Sequence, residues 1–216
     1  MAGGTPAPVL KEGEKMKAVL MSIQPEWSRL IAAGEKTVEV RKNRPKLEAP
    51  FKVYIYCTKG GDTNGYHKLF VKPKNANQYK GFCTGTVIGE FVCDRIDHLV
   101  HSGTCRQDKQ LTILNSDLSY SQLTKEYLRK TYLTPEEIEA YSKGGDVYAW
   151  HITDLVIYDK PKELSEFYRK CEPLHCDCCD KLKYQRVNAD EYDFDCSVGG
   201  VIKITCPPQS WCYVAD

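Results

Sequence analysis

Three charged side chains, spaced as in a ligand-binding site, lie close together near the start of the chain. The segment that carries them is Gly34-Glu35-Lys36-Thr37-Val38-Glu39-Val40-Arg41-Lys42. Because side chains alternate between the two faces of a strand, Glu39 and Arg41 point to the face opposite Val38 and Val40. Lys36 lies at the entrance to that polar face. A carboxylate acceptor beside cationic donors can bind a polar, planar ligand.

The elements around this segment are predicted from the spacing of apolar residues. Residues 18–23 are almost entirely apolar and predict a strand. Pro25 suits the first turn of a helix, and Gly34 suits the position just after a helix end. An apolar stripe at helical spacing supports a helix between them and consists of Trp27, Leu30 and Ile31. The polar segment is therefore predicted to follow a strand and a short helix.

Three stretches of the sequence resemble the ASCH domain, a family of the PUA-like superfamily. They are Ser22-Ile23-Gln24-Pro25, residues 34–42 and Val53-Tyr54-Ile55-Tyr56-Cys57, and the resemblance covers roughly residues 16–160. It implies an α+β fold, with a small PUA-like β-barrel, flanking short helices and a cleft lined by the Gly-x-Lys-x-x-Glu-x-Arg segment. The family is associated with RNA or modified nucleosides. Some members hydrolyse N4-acetylcytidine, and some are reported to be ribonucleases.

The resemblance also implies roles for the polar residues. Lys36 is the expected catalytic residue if the protein is an enzyme. In the first hypothesis the protein binds RNA or a modified nucleoside: Lys36 and Arg41 attract phosphate, and Glu39 accepts hydrogen bonds from a base amino group. A structural alternative is that Glu39 and Arg41 form only an ion pair that closes the barrel. The residues expected to bind the ligand are Ser22, Lys36, Glu39, Arg41 and Lys42.

In the second hypothesis the protein is an amidohydrolase, in which Lys36 acts as base or nucleophile after burial and neighbouring cations lower its pKa. The sequence departs from the N4-acetylcytidine hydrolases in having Glu39 where those enzymes carry a threonine. Because a carboxylate stabilises a lysine cation, Glu39 favours a charged Lys36 that serves binding. A ribonuclease is the third hypothesis, for which the sequence assigns no acid–base pair. The distant catalytic glutamate of the hydrolases has no secure match among Glu126, Glu136 and Glu137.

Composition is ordinary for a soluble globular protein. The chain has 216 residues, of which 42% are hydrophobic and 27% are charged. No run of about 18 apolar residues is present, so no membrane span is predicted, and the first residues lack the apolar core of a secretory signal. We therefore expect a cytoplasmic protein, with a monomer favoured. Residues 1–80 carry 15 Lys and Arg against 7 Asp and Glu. This excess of positive charge favours a phosphate-attracting face in that half of the chain. The alternative is that these lysines lie in solvated loops.

The chain divides into three predicted parts. Residues 1–15 show no periodicity and are expected to be disordered, residues 16–160 form the domain, and residues 161–216 form a cysteine-rich extension. Inside the domain, alternating apolar residues over 51–57 predict a buried central strand. Residues 146–158 predict a strand that closes the barrel.

The sequence also predicts two further helices and the environments of three histidines. Residues 119–130 predict a helix, and Thr134 begins another, because Glu137 stands at the capping-box position three residues later. His98 and His101 are expected in an exposed loop. His151 lies within the predicted closing strand and is expected to be a partly buried histidine with a satisfied hydrogen bond.

Cysteines near the end of the chain predict a zinc site. Seven of the 11 cysteines lie between Cys171 and Cys212, and Cys176 and Cys179 form a Cys-x-x-Cys pair. An odd number of cysteines without a secretion signal favours thiols and metal over disulfides. Beyond the cysteines, apolar residues 211–214 are expected to fold back onto the domain. The expected ligands of a structural zinc ion are Cys171, Cys176, Cys179 and Cys196, with Cys178 and His175 as alternative ligands. Cys206 and Cys212 are then expected to be spare or buried thiols.

Overall fold

The structure, a computed structural model, combines β-sheets with short helices. It describes residues 16–60, 68–72, 80–102, 110–170 and 201–215. Within these ranges the strands form two five-stranded sheets and two two-stranded sheets, accompanied by three α-helices. The predicted α+β class is therefore confirmed. The expectations for residues 1–15 and for the four zinc-binding cysteines concern residues outside the described ranges.

The first sheet is built around a parallel pair of strands. In spatial order its strands are β11 (Thr153–Lys162), β6 (Thr86–Cys93), β3 (Phe51–Cys57), β1 (Ala18–Ile23) and β14 (Trp211–Val214). β1 and β3 run parallel, and all other neighbours run antiparallel. β3 lies at the centre, as its apolar alternation predicted. β14 returns from the end of the sequence to pair with β1, so the expectation that this segment folds back is confirmed.

The second sheet carries the polar segment at its edge. In spatial order its strands are β2 (Val38–Arg41), β10 (Val147–His151), β7 (Ile96–Ser102), β8 (Gln110–Leu114) and β9 (Tyr120–Gln122). All neighbours are antiparallel. The outer edge of β2 is therefore next to the helices that follow β9 in the sequence.

The prediction of a single closing strand over residues 146–158 is wrong. The chain leaves the second sheet after β10 and enters the first sheet at β11, with Ile152 between them. The apolar run is divided because its two halves find different partners, β7 for the first half and β6 for the second. In the described part of the chain the two sheets remain separate, so the predicted closed barrel is not observed.

Short elements surround the sheets. None of the helices in the described residues is long and apolar enough to cross a membrane. The helices are α1 (Pro25–Ala32), α2 (Lys125–Thr131) and α3 (Pro135–Ser142), with one 3-10 turn at Leu164–Glu166. The two-stranded sheets pair β4 (Lys68–Val71) with β5 (Lys80–Cys83), and β12 (Tyr168–Lys170) with β13 (Val201–Lys203).

Two local predictions are corrected and one is confirmed. The helix expected over residues 119–130 begins only at Lys125, because the preceding residues pair with β8 as strand β9. His98 and His101 lie within β7 and not in a loop. The capping box of α3 is present: the side chain of Thr134 accepts from the N–H of Glu137, and the Glu137 carboxylate accepts from the N–H of Thr134.

The packing of β2 decides which of its side chains enter the apolar cluster and which face the opposite side. Val38 and Val40 are buried in an apolar cluster with Ile138 of α3 and Val147 and Ala149 of β10. Each such buried side chain stabilises the fold by about 1.5–3 kcal/mol. Because these valines occupy one face of β2, the alternate side chains of the strand turn to the other face, as predicted.

Candidate functional site

A pocket of about 470 Å³ opens on the polar face of β2, between α1 and α3. Its volume is within the range of pockets that bind small molecules. We call it the polar pocket. Its lining residues are Ser22, Gln24, Trp27, Lys36, Glu39, Val40, Arg41, Thr58, Leu133, Glu137, Tyr141 and Gln209.

Lys36 is a buried cation in this pocket, with only 2% of its surface exposed. Gly34 adopts a φ of 74°, which suits glycine, and this residue ends α1 and turns the chain towards β2. The Lys36 ammonium donates a hydrogen bond to the backbone carbonyl of Thr131. It also lies 3.4 Å from Oε2 of Glu39 and 5.0 Å from the ring centroid of Trp27. All three neighbours favour the charged form of the lysine.

Glu39 lies between two cations. Its Oε2 faces Lys36, and its Oε1 lies 3.1 Å from a terminal nitrogen of the Arg41 guanidinium. The same Arg41 nitrogen donates to the backbone carbonyl of Ser22 at 2.6 Å. Nε of Arg41 is buried and has no hydrogen-bond partner among the described residues. The pocket therefore holds a fixed acceptor, the carboxylate of Glu39, flanked by the cationic donors of Lys36 and Arg41.

The pKa of Lys36 is lowered from its usual value of 10.5, chiefly by burial. The carboxylate of Glu39 opposes this effect, while the guanidinium of Arg41 adds to it. The sequence-based argument that Glu39 favours a charged lysine therefore describes one influence correctly, but burial acts in the opposite direction and is larger. The contacts of Lys36 with the Thr131 carbonyl and the Glu39 carboxylate are both stronger in its ammonium form.

Of the five expected ligand-binding residues, Ser22 is already engaged within the protein. Its hydroxyl donates to the carbonyl of Pro208 at 2.6 Å, and its N–H bonds to the carbonyl of Ser210 at 2.9 Å. Ser22 thus attaches the C-terminal segment to the wall of the polar pocket. Three further expected residues, Lys36, Glu39 and Arg41, line the pocket with it. Their roles towards a ligand stay predictions.

Lys42, the fifth expected residue, does not line the pocket. It follows β2, and its ammonium lies 5.0 Å above the ring centroid of Tyr141. Tyr141 belongs to α3 and lines the pocket. Lys42 is therefore outside the pocket lining but contacts a residue that belongs to it.

Several lining residues were missed by sequence reasoning. Glu137 is the one of the three candidate glutamates that reaches the pocket, while the capping box of α3 engages one of its carboxylate oxygens. Gln209 arrives with the C-terminal segment. Trp27 was identified only as part of the apolar stripe of α1, and only the fold shows that its ring lies against Lys36. These residues are far from β2 in sequence, so no local pattern could connect them.

A second polar cluster joins β7, β10 and α2. Nε2 of His151 lies 2.7 Å from Oδ2 of Asp97, and the hydroxyl of Tyr127 donates to the same oxygen at 2.8 Å. Nε of Arg95 lies 2.9 Å from the other oxygen of Asp97. Burial alone would raise the pKa of Asp97, but the hydrogen bonds from His151 and Tyr127 outweigh it and lower the pKa. None of these residues lines the polar pocket, and His151 is the satisfied histidine that the sequence predicted.

The described residues contain no group of three or more His, Cys, Asp and Glu side chains that can hold a metal ion. His98 contacts Asp146, with 2.9 Å between Nε2 and Oδ2, and the two form a pair without a third ligand. Two cysteines expected to be spare thiols, Cys206 and Cys212, are free. The four cysteines expected to bind zinc lie outside the described ranges.

Comparison with known proteins gives one family match. A sequence model described as the ASCH domain matches residues 21–192. Among solved structures, the crystal structure of ASCH from Zymomonas mobilis is 20% identical with a TM-score of 0.47, covering 92% of this chain and 88% of that chain. Two mutant forms of the Zymomonas mobilis protein give TM-scores of 0.46 and 0.47 at 20% and 17% identity, covering 92% and 93% of this chain and 91% and 89% of theirs. No curated protein matches the chain.

Proposed function

Because this chain belongs to the ASCH domain family, we propose that its polar pocket binds a cytosine base, presented by RNA or by a modified nucleoside. The observation that carries the proposal is the carboxylate of Glu39, held between the cations of Lys36 and Arg41 in a buried pocket. A carboxylate only accepts hydrogen bonds, whereas ammonium and guanidinium groups only donate them. The pocket therefore selects a ligand edge that offers a donor beside acceptors.

Cytosine has such an edge. Its exocyclic amine is a donor that suits Glu39, and its ring nitrogen and carbonyl are acceptors that suit the guanidinium of Arg41, which lines the pocket. Uracil carries a carbonyl where cytosine carries the amine, so its oxygen would face the carboxylate of Glu39 unfavourably. Trp27 supplies an aromatic surface in the same pocket, and aromatic side chains stack on unpaired bases.

A comparison of two RNAs tests this proposal. Fluorescence anisotropy with labelled eight-nucleotide oligocytidylate and oligouridylate is expected to show about tenfold tighter binding of oligocytidylate by the wild type. In Glu39→Gln the amide offers a donor as well as an acceptor, so we expect the preference to shrink to a small factor. Glu35→Gln is the matched control, because Glu35 is exposed and outside the pocket but loses the same charge. Equal binding of both RNAs by the wild type would overturn the proposal.

A second candidate function is hydrolysis of the acetyl amide of N4-acetylcytidine, favoured by one specific observation. Glu137 lines the pocket together with Lys36, whose pKa burial lowers. Amide hydrolysis needs a base or nucleophile and a proton donor for the leaving amine, and these two residues supply groups of both kinds. Glu39 stands against this function, since its carboxylate stabilises the charged lysine.

Acetate release from N4-acetylcytidine separates the two functions. We expect little or no release by the wild type, because the carboxylate of Glu39 lies beside Lys36 and favours its ammonium form. Glu39→Thr removes the opposing carboxylate and is expected to raise release. Robust release by the wild type that is lost in both Lys36→Met and Glu137→Gln would establish the hydrolase as the correct assignment.

A further inference from the structure

We propose that a groove beside β14 holds the nucleotides that adjoin the base in the polar pocket, so that the ligand is a single-stranded RNA segment and not a free nucleoside. The identity of the bound base rests on the proposed function, whereas the groove has evidence of its own. The groove has a volume of about 590 Å³. We call it the basic groove, and the residues that matter in it are Lys17, Leu47, Arg169, Lys170, Trp211 and Tyr213.

The charge of the basic groove is of one sign. Lys17, Arg169 and Lys170 line it and are exposed to solvent. No acidic side chain is among the described residues that line it. Phosphate groups of a nucleic-acid backbone attract such a cluster of cations without regard to base sequence. The occupant that fits this charge is a polyanion.

The groove is also lined by two aromatic side chains, Trp211 and Tyr213, and these favour a nucleic acid over other polyanions. Trp211 lies 5.4 Å from Tyr213 and 6.1 Å from the buried Trp150, measured between ring centroids. Tyr213 keeps 43% of its surface exposed. An exposed aromatic ring beside cations suits a single strand, because its bases stack on the ring while its phosphates meet the cations.

Two neighbouring segments of the chain contribute residues both to the polar pocket and to the basic groove. On one side Gln209 lines the pocket and Trp211 lines the groove, and two residues span at most about 7 Å. On the other side Arg41 lines the pocket and Leu47 lines the groove. The two segments are joined by a hydrogen bond of 2.9 Å from the N–H of Lys46 to the hydroxyl of Tyr213.

The segment between Arg41 and Leu47 adds cations along this path. Lys42, Arg44 and Lys46 are all exposed. Gln209 of the pocket and Trp211 of the groove are only two residues apart, which is within the length of a few nucleotides. A strand whose base enters the polar pocket is therefore in reach of the groove with its next few nucleotides.

The test compares a short and a long ligand on a groove variant. In Lys17→Gln/Arg169→Gln/Lys170→Gln we expect the salt slope for an eight-nucleotide oligocytidylate to fall by about two, because each phosphate contact of a single strand contributes about 0.7. The wild type is expected to bind this RNA about tenfold more tightly than the dinucleotide CpC, and the variant is expected to lose that advantage. Binding of free cytidine is expected to stay unchanged, since no pocket residue is altered.

Two sets of control variants distinguish an effect of the groove from a general effect of lost positive charge or of a lost side chain. Lys125→Gln/Lys143→Gln/Lys160→Gln removes the same charge from exposed positions outside pocket and groove, and is expected to keep the advantage of the long RNA. Tyr213→Ala is expected to weaken binding of the long RNA about tenfold, whereas Tyr213→Phe loses only the hydrogen bond from Lys46, keeps the ring and is expected to retain most of the affinity.

Three outcomes have distinct meanings. If the groove triple variant binds the long RNA as the control triple variant does, the basic groove is not an RNA site. If Tyr213→Ala keeps full affinity, stacking in the groove is refuted. If the wild type fails to prefer oligocytidylate over oligouridylate while the groove variant still loses its salt slope, the proposed function of the pocket fails and the groove stands.

Discussion

The ammonium group of Lys36 donates a hydrogen bond to the backbone carbonyl of Thr131, the last residue of α2. The two residues are 95 positions apart in the sequence. A second hydrogen bond, from the N–H of Thr37 to the carbonyl of Lys130 at 3.1 Å, strengthens the same junction. The carbonyl end of a helix attracts positive charge, so α2 helps to hold the buried cation of the pocket.

We predict that Lys36→Met changes the pH dependence of stability. Because burial lowers the pKa of Lys36 in the fold, the unfolded chain binds this proton more tightly than the folded protein does. Between the lowered pKa and the usual value near 10.5, the contribution of Lys36 to the free energy of unfolding therefore rises with pH. Each tenfold difference in proton affinity corresponds to about 1.4 kcal/mol.

Urea denaturation of both proteins at several pH values between 7 and about 10 measures this effect. Other titrating groups are shared, so the difference between wild type and Lys36→Met isolates Lys36. Methionine is chosen because it is unbranched and flexible enough to fill the buried space. The wild type is expected to gain stability relative to the variant as pH rises. Parallel profiles would show that the folded protein does not perturb this lysine.

We predict that Asp97→Asn destabilises the protein by about 2 kcal/mol at pH 7, since hydrogen bonds to a charged group each contribute about that much. The hydrogen bonds from His151 and Tyr127 lower the pKa of Asp97 in the fold against the effect of burial. Its contribution is therefore fully present above the pKa of the unfolded chain, near 3.8, and is lost as pH falls through the lower folded value.

The measurement is again urea denaturation, at pH 7 and at several values down to about 3. The difference in the free energy of unfolding between wild type and Asp97→Asn is expected to decrease as the pH falls. Asp94→Asn serves as the control, because Asp94 is exposed and three residues away. A gap that persists unchanged at the lowest pH would mean that the carboxylate charge of Asp97 is irrelevant to stability.

Sequence reasoning succeeded where one local pattern decides the structure. The strand at 18–23, the helix from Pro25 and the central strand at 51–57 depend on the spacing of apolar residues within a few turns. Gly34 ends the helix because only its own φ matters there. The polar face of β2 follows from the same alternation, which is why Lys36, Glu39 and Arg41 were found together.

Predictions from the sequence were wrong or incomplete where a residue or strand distant in the chain determines the local structure. Residues 120–122 became a strand because β8 lies beside them, and this pairing outweighs the helical spacing of their apolar neighbours. The run at 146–158 was divided between two sheets for the same kind of reason. Glu137 and Gln209 reach the pocket only through the packing of α3 and the return of the C-terminal segment.

Cysteine reactivity provides a third prediction. Burial raises the pKa of Cys57 to about 11 and that of Cys93 to about 12, while Cys206 is exposed and free. Because the thiolate is the reactive form, iodoacetamide at pH 8 is expected to modify Cys206 quickly and to leave Cys57 and Cys93 untouched. Mass spectrometry of digested protein measures the labelling, and all three are expected to react in urea. Equal rates in the native protein would refute the burial of these thiols.

Zinc content is a fourth prediction and depends on cysteine spacing alone. Protein purified in the absence of added metal is expected to contain about one zinc ion per chain by elemental analysis, since a structural site takes four ligands. Cys176→Ser with Cys179→Ser removes the Cys-x-x-Cys pair and is expected to abolish the bound metal. Cys57→Ser is the control, because Cys57 is buried in β3. Metal-free wild-type protein would exclude the zinc site.

The last prediction concerns Gly89 in β6, where β11 approaches the backbone closely. A Cβ atom at this position would lie 2.3 Å from the backbone carbonyl oxygen of Val156 and 2.9 Å from Cδ1 of Ile157, both in β11. Since a carbonyl held in a sheet cannot move away without breaking strand pairing, Gly89→Ala is expected to lower the free energy of unfolding by about 3 kcal/mol. Gly145→Ala is the matched control, because its Cβ would meet only the carbonyl oxygen of Ser142 at an ordinary 3.5 Å. Urea denaturation measures the free energy of unfolding of the two variants. Equal values would show that β11 does not contact β6 closely at Gly89.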